Sequence, residues 1–265
     1  MGNIVYKFRD WKIPFHKENL TEGMLYFASP TQFNDPFDCL IVPRYDLLIK
    51  QQKTEKYRDL IRHDNPYFSA RRVNQEVKKW MGMNLLSGNN YLQNAEKKLK
   101  MLLRYGIFSL SRVNDNILLW SHYADSHHGF CIGYDEEELY DFVINSFKVI
   151  GMIADKRNIN YSDSYPIIIP HKNITGEEYI ITPITTKSSD WAYEKEVRII
   201  LYDGANTKLK LVKKRIVKEI ILGCYIQQQD KDEIIGVAKK NYPGTKILEA
   251  KKHPEKFKLV FDEIK

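Results

Sequence analysis

GIFSLSRVNDNILLWSHYADSHHGFCIGYDEEELYDFVINSF, residues 106–147, changes periodicity three times and sets the fold class. GIFSLS is a short apolar strand by composition. NDNILLWSHYADSHHG reads as a capped helix: Asn114 or Asp115 can accept the first free amides, and Gly129 can end the helix in a left-handed conformation. FCIGYD supplies a second strand. EEELYDFVINSF then reads as a helix with carboxylates at its positive end.

The same alternation of strand and helix continues outward. Upstream, NIVYKFR alternates as a strand, FHKENLTEG reads as a turn of helix closed by Gly23, and MLYFAS is a second strand. Downstream, FKVIGMI, NINYS and YPIII are short extended candidates. KSSDWAYEKEVRIILYDG is a loop entering a strongly alternating strand, and RIVKEIILGC is another. A helix over Asp230 to Lys240 and the strands TKILEAKK and FKLVFDEI complete the chain. Regular strand–helix–strand spacing for a parallel sheet is missing, so the expected fold is α+β, a mixed, mostly antiparallel sheet.

Residues 1–265 are expected to form a single domain, with residues 44–104 as a basic helical insert of two or three helices, broken near HDNPYF and GMNLLSGNN. From Arg44 to Arg104 there are 14 Lys or Arg against 6 Asp or Glu, an excess that accounts for the whole net charge of +7. This insert is the first place to look for an anionic partner; a solvated helical surface is the plainer alternative. Three cysteines and seven histidines show no ligand spacing, so no metal site is expected and the cysteines read as small core residues. No apolar run is long enough to cross a membrane, and a charged YKFRD stands where a signal peptide needs an apolar core; a cytoplasmic protein is expected.

Chemistry concentrates in three stretches. In EKEVRIILY, alternation places Glu194, Glu196, Arg198 and Ile200 on one strand face, beside the aromatics Trp191 and Tyr193. Aromatic faces next to a carboxylate suit a flat polar or cationic ring such as nicotinamide. A solvent-facing ion pair and a core tryptophan are the alternatives. In GMLYFASPTQFNDPFDC, residues 23–39, Asn34, Asp35 and Pro36 make a turn by ordinary chemistry, which leaves Phe33, Phe37 and Asp38 unexplained. In WSHYADSHHG, His122 lies inside the helix and His127 and His128 at its end, where the dipole favours imidazole; a general-base role for His122 is the functional alternative.

YKFR, LYFASPTQFNDPFD, FSLSRVNDNILLWSHYADSHHGFCIGYD and KSSDWAYEKEVRI together resemble the bacterial domain-of-unknown-function family 2971, with the basic segment as variable insert. A more distant likeness is to ADP-ribosyltransferases, which place a polar or basic residue on the first strand, an aromatic strand and turn around nicotinamide, and a glutamate before a late strand. The resemblance implies NAD as substrate, Glu196 (with Glu194) at the developing oxocarbenium, and Arg9 on the pyrophosphate; Tyr6 and Lys7 also fit that first-strand slot. It further implies Tyr26, Phe33 or Phe37 on the nicotinamide ring, with Phe33, Phe37 and Asp38 in the same cleft as Glu196. In this reading Tyr57, Tyr67, Phe68 and Trp80 of the insert become stacking platforms for a nucleic-acid acceptor. A protein acceptor or antitoxin, and a role as toxin or phage-defence effector, follow from the same likeness.

Two other functions fit the residues. A metal-dependent nuclease would need Asp35, Asp38, Glu194 and Glu196 to converge on one ion. A non-catalytic module recognising a nucleotide or partner in a defence system would need none of these acids.

Overall fold

Twelve strands follow in chain order: β1 (Ile4–Arg9), β2 (Met24–Phe27), β3 (Gly106–Ser111), β4 (Phe130–Asp135), β5 (Ala154–Asn158), β6 (Asn160–Ser162), β7 (Thr186–Ser188), β8 (Glu196–Leu201), β9 (Thr207–Lys210), β10 (Val217–Leu222), β11 (Lys246–Lys252) and β12 (Leu259–Glu263). The principal helices are α1 (Pro14–Thr21), α2 (Lys50–Asp64), α3 (Ala70–Met83), α4 (Ile117–Tyr123), α5 (Glu136–Lys148) and α6 (Gln228–Asn241). These come from a computed structural model that describes residues 2–86, 96, 99–171 and 174–264. The fold is α+β, and its main sheet runs β12-β11-β10-β4-β1-β3-β8-β5. All its neighbours are antiparallel except β10 and β11, which α6 joins in parallel.

The chain divides into two units. The first comprises Met1–Ser29, Tyr105–Tyr161 and Ser189–Lys265 and holds the main sheet. One sheet face carries Val5, Phe108, Ile132, Val197, Ile199 and Ile220 and is covered by Leu139, Val143 and Phe147 of α5 and Ile234 of α6. Each such side chain, fully buried, contributes about 1.5 to 3 kcal/mol of transfer free energy. The other face carries Phe8, Cys131 and Ile221 and packs on Leu119 and Trp120 of α4.

The second unit comprises Pro30–Arg104 and Ser162–Ser188, so the basic segment 44–104 shares it with the FNDPFD turn and with residues 162–188. Its core joins Tyr45, Tyr57 and Ile61 to Val73 and Val77 of α3. Tyr57 lies edge-on to Trp80 at 5.9 Å and accepts the Leu86 amide at 2.9 Å. Two of the four expected stacking platforms therefore pack in this core, whereas Tyr67 is 98% exposed. The break expected at HDNPYF separates α2 from α3. The second expected break, at 82–90, extends beyond the described residues from 87 onward.

Several local expectations need correction. Asn116, not Asn114 or Asp115, caps α4, accepting the Leu118 and Leu119 amides at 2.9 and 3.4 Å. The left-handed residues after α4 are Asp125, Ser126 and His127, with φ of 46°, 51° and 72°, rather than Gly129. Gly129 serves another purpose: a Cβ there would collide with the Arg9 carbonyl, just as one on Gly223 would collide with the His127 carbonyl. FKVIGMI ends α5 and turns through Gly151, and YPIII forms no strand. β9, which local sequence pattern does not reveal, pairs antiparallel with β2 as a separate ribbon.

Candidate functional site

β1 lies between β4 and β3, yet its two borders differ. It pairs with β4 along its whole length, whereas with β3 it shares the single register point Tyr6–Ser111. Further along, the Ser109 carbonyl accepts the Lys7 ammonium at 2.6 Å, and the same ammonium sits 5.0 Å above the Phe108 ring. β3 meets Ala28, just past β2, at Ile107. Where the β1–β3 ladder stops, a side-chain cation takes the place of a backbone amide.

Arg9 stands two residues along the same strand. Its Nε donates to Asn19 Oδ1, and Asn19 in turn donates to the Met24 carbonyl. Lys7 and Arg9 are both half-buried, and among the described residues neither forms an ion pair with a carboxylate. Burial, the like charge of Arg9 and that of Arg198 push the Lys7 ammonium well below the usual lysine range, while Glu196 and Glu194 pull the other way. Burial brings Arg9 down to about 10. His16, whose Nδ1 accepts the Asp10 amide at 3.3 Å, falls to about 3 through burial and then through Arg9 and Lys7. Partly desolvated cations crowded this way favour an anion beside them.

A lysine with a depressed pKa has a definite pH signature. Between its folded pKa and 10.5 the unfolded chain holds more protons at this site, so this contribution to stability rises with pH across that window and is flat outside it. Lys7→Met removes the slope. Urea unfolding of wild type and variant should therefore show their stability difference moving in favour of wild type as pH rises from neutral to 10.5.

The acids of the late strand are buried by a different route from simple alternation. β8 begins at Glu196, and Glu194 belongs to the preceding 3-10 turn. Lys195 between them is left-handed, with φ 44°, which turns both glutamates inward and leaves the lysine exposed. Glu194 Oε1 accepts the Tyr123 hydroxyl at 2.7 Å. Glu196 binds Arg198 through two hydrogen bonds, Nε to Oε1 at 2.7 Å and Nη2 to Oε2 at 3.0 Å, and Arg198 is 1% exposed. The Glu196 amide donates to the Tyr161 hydroxyl at 2.8 Å.

Of the other candidates in this unit, Trp191, Tyr193 and exposed His122 form an aromatic group with ring centroids 6.0 to 6.4 Å apart. Tyr26 on β2 donates its hydroxyl to Asn206 at 2.8 Å. Glu219 on β10 is not singled out by the sequence; its Oε1 is buried and, among the described residues, finds no hydrogen-bond partner. Phe33, Phe37 and Asp38 belong to the second unit and Glu196 to the first. Within the second unit Asp38 faces Lys187 at 3.7 Å, both buried, and Phe37 is exposed, edge-on to Tyr165 at 6.3 Å. Asp35 accepts the Phe37 amide at 2.9 Å, as its turn chemistry requires. Among the described residues no three of His, Cys, Asp or Glu gather as a metal ion would need.

Residues 119–199 match the family described as "Protein of unknown function (DUF2971)", so the resemblance to that family holds over the stretch from α4 to β8. No curated protein and no solved structure matches the chain. No helix among the described residues is long and apolar enough to cross a membrane.

Proposed function

We propose that the protein binds NAD and transfers ADP-ribose to an acceptor, with the cytoplasm, where NAD is abundant, as its compartment. The observation that carries this reading is the Lys7 and Arg9 pair, half-buried where the β1–β3 ladder ends and unmatched by any described carboxylate ion pair. A pyrophosphate supplies the missing negative charge, and the planar fork of Arg9 suits its oxygens. Lys7 also feels Glu194 and Glu196, so phosphate-binding cations and acids share one electrostatic neighbourhood. In the reaction, the ribose–nicotinamide C–N bond breaks with its electron pair leaving on nicotinamide. The acceptor nucleophile bonds to the ribose carbon and releases its proton, while a carboxylate steadies the cationic transition state.

The test is direct. Pure protein incubated with labelled NAD and cell lysate should release nicotinamide and label an acceptor. Arg9→Gln should weaken NAD binding about 10- to 100-fold by calorimetry, corresponding to loss of one charge-assisted hydrogen bond. No NAD binding at millimolar concentration, together with no nicotinamide release, would overturn the reading.

A second reading, a non-catalytic nucleotide-recognition module, is favoured by one observation: both carboxylate oxygens of Glu196 already accept from Arg198, through its Nε and Nη2. In that case a folded Glu196→Gln protein keeps full cellular activity, whereas an ADP-ribosyltransferase loses it.

A further inference from the structure

The first unit has a cleft of about 370 Å³ lined by Asp115, Ile117, Tyr193, Lys195, Phe257 and Lys258 among others. Its components come from three chain segments: the approach to α4, the left-handed Lys195 before β8, and the hairpin between β11 and β12. Phe257 is 102% exposed, so its ring projects from the hairpin with both faces open. An aromatic ring open on both faces at a cleft mouth offers a surface on which a flat ring can stack. Lys195 and Lys258 are exposed, and among the described residues neither pairs with an acid. Lys195 also occupies a backbone region that non-glycine residues rarely adopt, the kind of local strain that clusters at binding sites. Asp115 makes no hydrogen bond or ion pair among the described residues.

We propose that this cleft binds one nucleotide of a single-stranded nucleic acid. The base stacks on Phe257, the backbone phosphates meet Lys195 and Lys258, and the Asp115 carboxylate accepts N–H donors from the base edge. Stacking on an exposed ring tolerates any base, and lysines supply the sequence-independent attraction. The carboxylate adds selectivity, because it only accepts: a guanine edge offers N1–H and the 2-amino group side by side, which two carboxylate oxygens can take together. This surface lies outside the 44–104 segment and its occupancy does not require NAD.

Fluorescence anisotropy of the full chain with a labelled single-stranded RNA of mixed sequence, without NAD, tests the assignment. Binding should weaken as salt rises. Phe257→Ala should cost about 5- to 150-fold in affinity. Lys195→Gln with Lys258→Gln should flatten the dependence of log K on log salt by about 0.7 for each phosphate no longer neutralised. Guanosine monophosphate should displace the labelled strand better than the other three mononucleotides, and Asp115→Asn should abolish that advantage. Lys78→Gln with Lys79→Gln, on exposed positions of α3, serves as control. Wild-type affinity in the cleft variants with weakened binding in the α3 control would overturn the proposal and move binding to the basic segment. No binding at low salt would overturn it outright. Unchanged thermal unfolding of each variant shows that weakened binding does not come from a damaged fold.

Discussion

Arg198→Met lowers the unfolding free energy by about 3 to 5 kcal/mol, read from chemical denaturation at neutral pH. The guanidinium is 1% exposed and the Glu196 carboxylate it binds is 6% exposed. Removing Arg198 takes the bidentate partner away from a buried carboxylate, and that loss dominates the cost. The double variant Glu196→Gln, Arg198→Met should be less destabilised than the sum of the singles, because the two side chains bond each other directly. A double variant as unstable as the sum would mean that the two side chains act through separate partners. The pair also fixes where the glutamate of β8 sits in the electrostatic field of Lys7.

Trp120→Ala should cost about 3 to 5 kcal/mol in the same measurement. Trp120 is fully buried, edge-on to Phe8 at 5.2 Å, and lies parallel to His127 at 6.4 Å. Its Nε1–H donates to the Asn114 carbonyl at 2.6 Å, holding the loop that leads into the Asn116 cap. Alanine removes the ring that fastens α4 to the sheet and takes away the donor to that carbonyl. Trp120→Phe retains most of the apolar packing and forfeits only the donor, so about 1 to 2 kcal/mol is expected. Equal losses in the two variants would show that the hydrogen bond, rather than the packing, secures the helix.

How far the sequence can be read depends on the range of the cause. β1, β3 and β4 follow from local alternation and composition, and α5 from its acidic first turn, because each signal lies within the element itself. β9 escapes such reading because TKLK is short, follows a turn, and acquires strand geometry from pairing with β2, some 180 residues away. The cap of α4 lies up to two residues from its expected place because three consecutive polar residues, Asn114, Asp115 and Asn116, all suit the role; the Trp120 hydrogen bond to the Asn114 carbonyl helps decide among them. Gly129 looks like a helix terminator by residue type, yet it is required by the close approach of the Arg9 carbonyl.

For the candidate site, alternation places Glu194, Glu196 and Arg198 on one side, and all three are buried, but Glu194 arrives there through the left-handed Lys195. A left-handed lysine has no signature in a single sequence, since glycine and asparagine are the residues that advertise such positions. Arg9 is legible as a basic residue on the first strand. Its relation to His16 and Asn19 is not, because it depends on how α1 folds back beside β1. Nor does alternation say that the β1–β3 ladder stops after one register point.

The strand order also sets a timetable for synthesis. β4 sits between β1 and β10, so its inner edge can pair once residue 135 has emerged, but its other edge waits for residues 217–222. Until then an apolar strand, FCIGYD, presents an unpaired edge, the feature through which nascent chains associate wrongly. The later segment of the second unit, 162–188, is translated within that interval, whereas its first segment, 30–104, precedes it. Chains cut short before β10 should therefore collect in aggregates, while those extended through β12 should recover solubility, and the remedy in production is slower, cooler expression of the complete chain.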